Sequence, residues 1–351
     1  MLYVRERHMA ELAVLRASIL TKQVQSIVNE ISKGDSSPVT IADFAAQALI
    51  IGALRAVFPN DGFLGEEDAD ALRTNEHLRD QVFNLVLSAQ EVTGMDKSEY
   101  FSLPKPSSVY EMLDWIDLGG RGKGGDVGRF WVMDPIDGTA AFLRGQQYAV
   151  SLSLIENGRE VVGVLGCPNI STATTIVSEN DVDRDGFGIM LSAAKGQGAL
   201  ARIMTKGGLE DAIFLNHLKP PSKPGELRVV DCIDDETIQH DVVAKMALAL
   251  NATYPNAQIW SAHIRYVALM LGGGDVQLWV PTKPLPSKMY IWDHAGTQLI
   301  FTELGGRVTD LKGCRVDFGA GRDLRRNDGL IVAKGDIHTK VLAAMTDILG
   351  Q

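Results

Sequence analysis

Cysteine is scarce. Cys167, Cys232 and Cys314 are the only three in 351 residues, and they stand far apart with no CxxC pair and no histidine cluster beside them. That spacing offers no zinc site, and the three read as reduced core thiols. Long apolar runs are lacking too: no stretch approaches membrane-spanning length, and the N-terminus, Met-Leu-Tyr-Val-Arg-Glu-Arg-His, mixes charges where a signal peptide would be apolar. A soluble, cytoplasmic protein with no membrane partner is expected. Positive charge is the third shortage, because 34 Lys and Arg against 44 Asp and Glu leave a formal net charge of −10. Such a chain is not built to wrap a nucleic-acid polymer, which demands clustered Lys and Arg. An acidic protein that handles phosphate must invert its charge locally, most simply with divalent cations. What is present in quantity is apolar residue, 45% of the chain, enough for one large domain or two.

Apolar residues recur at helical spacing from Glu11 to Ile31, and after the Gly34-Asp-Ser-Ser-Pro38 break a second helical pattern, begun by Asp43, runs from Ile41 to Phe58. Phe63-Leu-Gly-Glu-Glu67 reads as a short strand ending in two acids, with a helical stretch following to about Ala89. Between Val92 and Gly128 the periodicity is weak. There the Gly-rich basic patch Gly119-Gly-Arg-Gly-Lys-Gly-Gly125 reads first as a mobile surface loop and second as a phosphate grip. The runs Tyr148–Ile155, Val161–Leu165 and Ile189–Ala193, separated by turn signals, predict antiparallel strands. After Asn216 the rhythm changes to strands at 227–232, near 258–260, at 276–280 and 329–333, alternating with helices at 236–251, 262–271 and 293–304. The expected class is α/β with an α+β N-terminal part. The turn-rich stretch near 205–225 divides it into an N-terminal domain, 1–210, with the antiparallel sheet and most of the acids considered below, and a C-terminal α/β domain, 211–351.

The chemistry centres on Trp131-Val-Met-Asp-Pro-Ile-Asp-Gly-Thr139, which sets Asp134 and Asp137 on either side of a proline turn. Pro135 has a fixed φ and no amide donor, so it turns the chain out of the strand and brings both carboxylates to one side. Gly138 permits close backbone approach to a ligand, and the amides after it are the open donors of a helix start, suited to an anion. Asp43, Glu66 and Asp293 also stand at element ends, where a sheet-based enzyme presents its chemistry. Taken singly, Asp43 and Asp293 read equally well as helix caps, and Glu67 as a solvated acid. Taken together, the acids suit hard, oxygen-seeking ions such as Mg²⁺, and their number implies more than one ion. Two ions would generate hydroxide and neutralise both oxygens of an in-line phosphoryl displacement, with Asp43 taking the proton of the water directly or through the Thr139 hydroxyl.

The set Gly65-Glu-Glu67, Asp134-Pro-Ile-Asp-Gly-Thr139 and Trp292-Asp-His-Ala-Gly296, in that order, resembles the lithium-sensitive, magnesium-dependent phosphatase superfamily that includes inositol monophosphatase and fructose bisphosphatase. Ser37-Pro-Val-Thr-Ile-Ala-Asp-Phe-Ala-Ala-Gln47, Gly128-Arg-Phe-Trp131, Phe142-Leu-Arg-Gly145, Gly166-Cys-Pro-Asn169 and Asp317-Phe-Gly-Ala-Gly-Arg322 resemble the fungal-type 3′(2′),5′-bisphosphate nucleotidases within it. The resemblance runs over nearly the whole chain. It implies a layered αβαβα sandwich and metal ligands at Glu66, Asp134, Asp137, Asp293 and the carbonyl of Ile136. It also implies water activation by Asp43 and Thr139, and two or three Mg²⁺ ions, with Mn²⁺ as the alternative. The implied activity removes the 3′-phosphate of adenosine 3′,5′-bisphosphate, and of its sulfated relative, to give adenosine 5′-phosphate. Lithium inhibition, a small phosphorylated metabolite as the only partner and a monomeric or homodimeric state complete the expectation.

The likeness thins where the nucleotide would bind. Asp234 stands where the family has a histidine, Ala262 and Arg265 replace a serine and a lysine ahead of Tyr266, Trp279 replaces an arginine, and Ala140 a lysine. Arginine is not equivalent to lysine, and lost polar partners cost discrimination. The expected substrate contacts are Gly138, Thr139, Asp234, His263, Arg265, Tyr266 and Asp293. For His263, as for His294, a structural hydrogen-bonding role beside a helix start weighs against substrate contact. The same departures leave an inositol phosphate, a sugar phosphate or another phosphorylated metabolite open as the substrate, and a non-catalytic binding relative as a third reading.

Overall fold

Helix α1 (Val4–Ile31) is buried around most of its girth between Met9 and Leu20, a pattern only a helix covered on several sides can hold. It lies with α2 (Ser37–Val57) across one face of the first sheet. The computed structural model describes residues 2–31, 37–89, 104–173, 176–218, 225–282 and 289–350. In chain order there follow β1 (Gly62–Gly65), α3 (Asp70–Thr74), α4 (Glu76–Ala89), α5 (Val109–Gly120), β2 (Arg129–Asp137) and α6 (Thr139–Leu143). The first half continues through β3 (Ala149–Glu156), β4 (Arg159–Cys167), β5 (Ile189–Ala194), β6 (Ala199–Thr205), β7 (Gly208–Leu209) and β8 (Ile213–Leu215). The chain then runs through β9 (Arg228–Asp231), α7 (His240–Ala249), β10 (Thr253–Gln258), α8 (Ala262–Leu271), β11 (Val276–Trp279), α9 (Ala295–Glu303), β12 (Gly306–Thr309), β13 (Leu330–Lys334) and α10 (Ile337–Leu349).

Among the described residues the first sheet runs β1-β2-β3-β4-β5-β6-β7 with β8 also on β6, and all its pairings are antiparallel except β1 with β2. The second runs β10-β9-β11-β13-β12. Residues of α8 and α9 share one core with inward residues of both sheets, such as Leu165 and Leu191 on one side and Val230 and Val332 on the other. These helices are therefore the middle layer. Helices α7 and α10 cover the outer face of the second sheet, and the order is α-β-α-β-α. Because the first sheet is covered on both faces, β2 is buried at all but its first residue and β3 at all but its last. The outward positions in the expected alternation are thus packed against a helix.

Some expectations need correction. Helix α2 starts at Ser37, so Asp43 sits within it and does not open it. Helix α5 lies in the stretch of weak periodicity, where Ser108 caps it by accepting a hydrogen bond from the Glu111 amide at 3.2 Å. Strands β6, β7, β8 and β12 and helix α10 also form where no element was expected. Cys167 and Cys232 are buried, but Cys314 is exposed; all three are free. No helix among the described residues is long and apolar enough to cross a membrane.

Candidate active site

The β2–β3 ladder pairs Asp134 with Ser151, breaks, and resumes at Asp137 with Ala149. The break falls on Pro135, which cannot donate to a ladder. Within it the Ile136 amide donates to Asp134 Oδ1 at 3.1 Å, and the Thr139 hydroxyl lies 3.4 Å from the Ile136 carbonyl. Gly138 follows at φ 92°, in the left-handed region, and a Cβ there would lie 2.9 Å from the Cβ of Ser261. Glycine is needed for the backbone and for the close approach of the second half.

Asp134 and Asp137 are buried, Asp293 keeps a solvent-facing edge, and one carboxylate oxygen from each lies within 4.8 Å of the others. Glu66 directly follows parallel strand β1, and its charge acts on both Asp134 and Asp293. Asp43 comes in from α2. Burial first, and then the charges of Glu66, Asp137, Asp293 and Asp43, push the Asp134 carboxyl well above its ordinary range. Asp293 is raised by burial, Asp137 and Glu66, and Asp43 by burial, Glu67 and Glu66. Glu66 is raised by burial and Asp137, while Glu67 is pushed up to about 7 by burial, Glu66 and Asp68. None of Asp43, Glu66, Asp134, Asp137 and Asp293 makes an ion pair with Lys, Arg or His among the described residues. Buried like charges without a cation are costly, and a divalent ion removes the cost. The donors are all hard oxygens, which fit Mg²⁺ or Mn²⁺.

The cap readings for Asp43 and Asp293 fail. Asp43 lies inside its helix, and the residue at the cap of α9 is His294, which makes no side-chain cap bond. Asp137 serves both halves of the molecule. Its Oδ2 accepts from the Ser261 hydroxyl and, at 2.7 Å, from the His263 amide, and its Oδ1 lies 3.3 Å from the Ala262 amide. The carboxylate thus sits at the N-terminus of α8, where the helix dipole favours negative charge.

The expected substrate contacts scatter. His263 is fully buried, with one ring nitrogen on Thr297 Oγ1 and the other 2.9 Å from the Trp292 carbonyl, so both are spent inside the protein. Tyr266 is core, edge-on to His294 and Phe301. Asp234 is exposed and accepts from Gln258 at 2.6 Å. Arg265 is buried without an ion pair among the described residues, and its charge only slightly offsets the burial and the acids that raise Asp293. Trp279 is half-buried, its indole 3.3 Å from the Thr237 hydroxyl.

Three further residues shape the site. Gln47, one turn beyond Asp43 on α2, donates to the Glu67 carbonyl and, at 2.9 Å, to that of Ile116, and accepts from the Glu67 amide. Spacing of four along a helix was the available signal. Ser261 caps α8 by accepting from Ile264 at 3.0 Å while it donates to Asp137, and a serine just before a helical pattern is a readable cap. Arg322 gave no signal beyond its place in the resemblance. A cleft of about 860 Å³, lined in part by Glu66, Glu67, Lys123, Trp292, Arg322 and Arg325, opens beside Glu66. The Gly-rich patch is correspondingly no free loop: Cβ atoms on Gly120 and Gly122 would lie 2.3 Å from the Glu67 carbonyl and 1.8 Å from that of Phe63.

Residues 6–349 match the inositol monophosphatase family. The chain is 40% identical over 359 residues to the 3′(2′),5′-bisphosphate nucleotidase of Emericella nidulans, covering 99% of each. It is 37% identical over 346 residues to that of Schizosaccharomyces pombe, covering 97% of this chain and 94% of the relative. Among solved structures it resembles Mycobacterium tuberculosis SuhB (TM-score 0.58, 20% identity, 99% and 97% covered). It also resembles an inositol monophosphatase from Zymomonas mobilis (TM-score 0.59, 16% identity, 98% and 99% covered). A fold of five layers, a proline-turn acid cluster at its centre and near full-length likeness to these proteins agree: the chain belongs to the inositol monophosphatase family.

Proposed function

We propose that the chain is a magnesium-dependent phosphomonoesterase that removes the 3′-phosphate of adenosine 3′,5′-bisphosphate, and of 3′-phosphoadenylyl sulfate, by attack of water on phosphorus. The observation that carries this reading is the convergence of five acids from four separate chain segments, with Asp43, Asp134 and Asp137 buried, Asp293 half-buried and Glu66 exposed, none of which makes an ion pair with Lys, Arg or His among the described residues. Glu66, Asp134, Asp137, Asp293 and the Ile136 carbonyl would hold two or three divalent ions. When bound, these ions supply an activated water and the positive charge that offsets the attacking and leaving oxygens. Asp43, raised by burial, is suited to take the proton of that water, directly or relayed by the Thr139 hydroxyl. The amides after Gly138 would donate to the phosphoryl oxygens, and the ester bond breaks to give the 3′-hydroxyl and inorganic phosphate. The nucleotide substrate rests on the names of the relatives and on Arg265, a buried cation beside Asp293 with no acid partner among the described residues.

A second reading keeps the chemistry and changes the substrate. Exposed Asp234 and half-buried Trp279 present a face short of positive charge for a bisphosphate, and favour an inositol, sugar or other metabolite phosphate. Phosphate release with Mg²⁺ from a panel of these esters at matched concentration decides between the two. A clear preference for adenosine 3′,5′-bisphosphate is expected. No release from any ester, or full activity in folded Asp134→Ala and Asp293→Ala proteins, would overturn the reading.

A further inference from the structure

Arg322, in the cleft, reaches both the segment that carries Glu66 and the segment that carries Asp293. Its Nη2 donates to the carbonyl of Gly65 at 2.8 Å, and Gly65 immediately precedes Glu66. Its Nη1 donates to the carbonyls of Gly122 at 3.1 Å and Gly119 at 3.3 Å. The guanidinium lies 4.7 Å from the ring centroid of Trp292, the residue before Asp293, and Trp292 is itself stacked on Tyr290 at 4.5 Å. The backbone repeats the link, since the Arg322 carbonyl accepts from the Ile291 amide at 3.1 Å and the Leu324 amide donates to Met289 at 2.8 Å. A single residue therefore ties the strand end that carries Glu66, the glycine turn packed against it and the segment that delivers Asp293.

We propose that Arg322 is a positioning residue that sets the spacing of Glu66 and Asp293 and thereby the affinity of the site for divalent ions. The proposal rests on the metal reading above. Its geometry needs arginine in particular: a planar fork with five donors spans three carbonyls while its charge sits over an indole, whereas an ammonium is a point charge on a flexible stem. Groups that hold metal ligands in place typically account for about ten- to hundred-fold in metal affinity. The neighbouring Arg325 supplies the internal control, because it lines the same cleft but is exposed and pairs only with Asp323 among the described residues.

The test is direct titration of Mn²⁺ by calorimetry and by its paramagnetic resonance signal, on wild type, Arg322→Lys and Arg325→Gln, with thermal melts of each. Arg322→Lys is expected to bind Mn²⁺ about ten-fold more weakly, while turnover at saturating Mg²⁺ returns to within a few-fold of wild type. Arg325→Gln is expected to bind as wild type does. Trp292→Phe, which leaves the carbonyl contacts in place, is expected to shift affinity in the same direction by less, and serves if Arg322→Lys does not fold. Unchanged Mn²⁺ affinity in folded Arg322→Lys, or an equal loss in Arg325→Gln, overturns the assignment. A wild-type chain that binds no Mn²⁺ sinks the metal reading itself, an outcome distinct from either.

Discussion

The two sides of the site are built by different means. The acid side hangs on buried elements: β2 is buried at all but its first residue, Glu66 follows a strand paired with it, Gln47 and Arg322 bond the backbone on either side of Glu66, and Ser261 bonds the Asp137 carboxylate. The side expected to meet the rest of the substrate rests on an exposed turn residue, Asp234, a half-buried indole, Trp279, and the buried Arg265. A substitution on the first side disturbs several hydrogen bonds at once. One on the second changes little beyond its own contact, so the chemistry is held firmly while the choice of substrate is free to drift.

The sharpest attack on this contrast is on the acids. Asp134→Asn and Asp293→Asn are expected to lower kcat/KM by about 10³-fold, equal to about 4 kcal/mol of transition-state stabilisation; a loss of less than ten-fold in folded protein would place the chemistry elsewhere. Gly138→Ala comes next. It combines a φ of 92° with a Cβ 2.9 Å from Ser261, and urea denaturation should show about 1–3 kcal/mol lost. Ser261→Ala should cost about 1 kcal/mol by the same measurement, the worth of a buried hydrogen bond.

The pH dependence probes the acid side alone. Glu67 is raised to about 7, so between its ordinary 4.5 and that value the folded, ion-free protein holds a proton that the unfolded chain releases. Its contribution to stability is full at the acid end of the window and is lost as pH rises through about 7, and the raised Asp43, Asp134 and Asp293 act in the same direction. Melts in chelator should therefore show the ion-free protein losing stability from pH 5 to pH 8, with Mg²⁺ raising the melting temperature more at pH 8. An equal Mg²⁺ effect at both values would mean the acids do not titrate together with ion binding. The smallest effect belongs to the exposed face. Asp234→Asn should improve KM for adenosine 3′,5′-bisphosphate by no more than about five-fold, since an exposed charge is worth up to about 1 kcal/mol, and should leave Mn²⁺ binding unchanged.

The same contrast governs what could be read from the sequence. Apolar runs and turn signals located β3, β4, β5 and α8 closely, because burial imposes periodicity. The proline turn was readable because its residues are unusual together. Helix α5 was missed because a Gly-rich end and a Pro/Ser lead-in masked a well-capped apolar stretch. Asp43 was singled out but placed nearly two helix turns wrong, since nothing local distinguishes a first turn from a later one when the helix begins upstream. The roles of Arg322 and of the 119–122 glycines depend on contacts more than fifty residues away in sequence, such as Arg322 to Gly65 and Gly122 to Phe63. No window along the chain contains both partners. His263 and Tyr266 sit on a helix that is buried all round, so their polar atoms face protein.

Asp137 belongs by sequence to the first half, yet the donors that orient it, at residues 261 to 263, belong to the second. A fragment cut before Gly225 would keep Asp43, Glu66, Asp134 and Asp137 but leave the last of them unmoored. Catalytic competence is therefore a property of the joined halves, and it would return on reassembly, as in a split reporter, only when the second half docks.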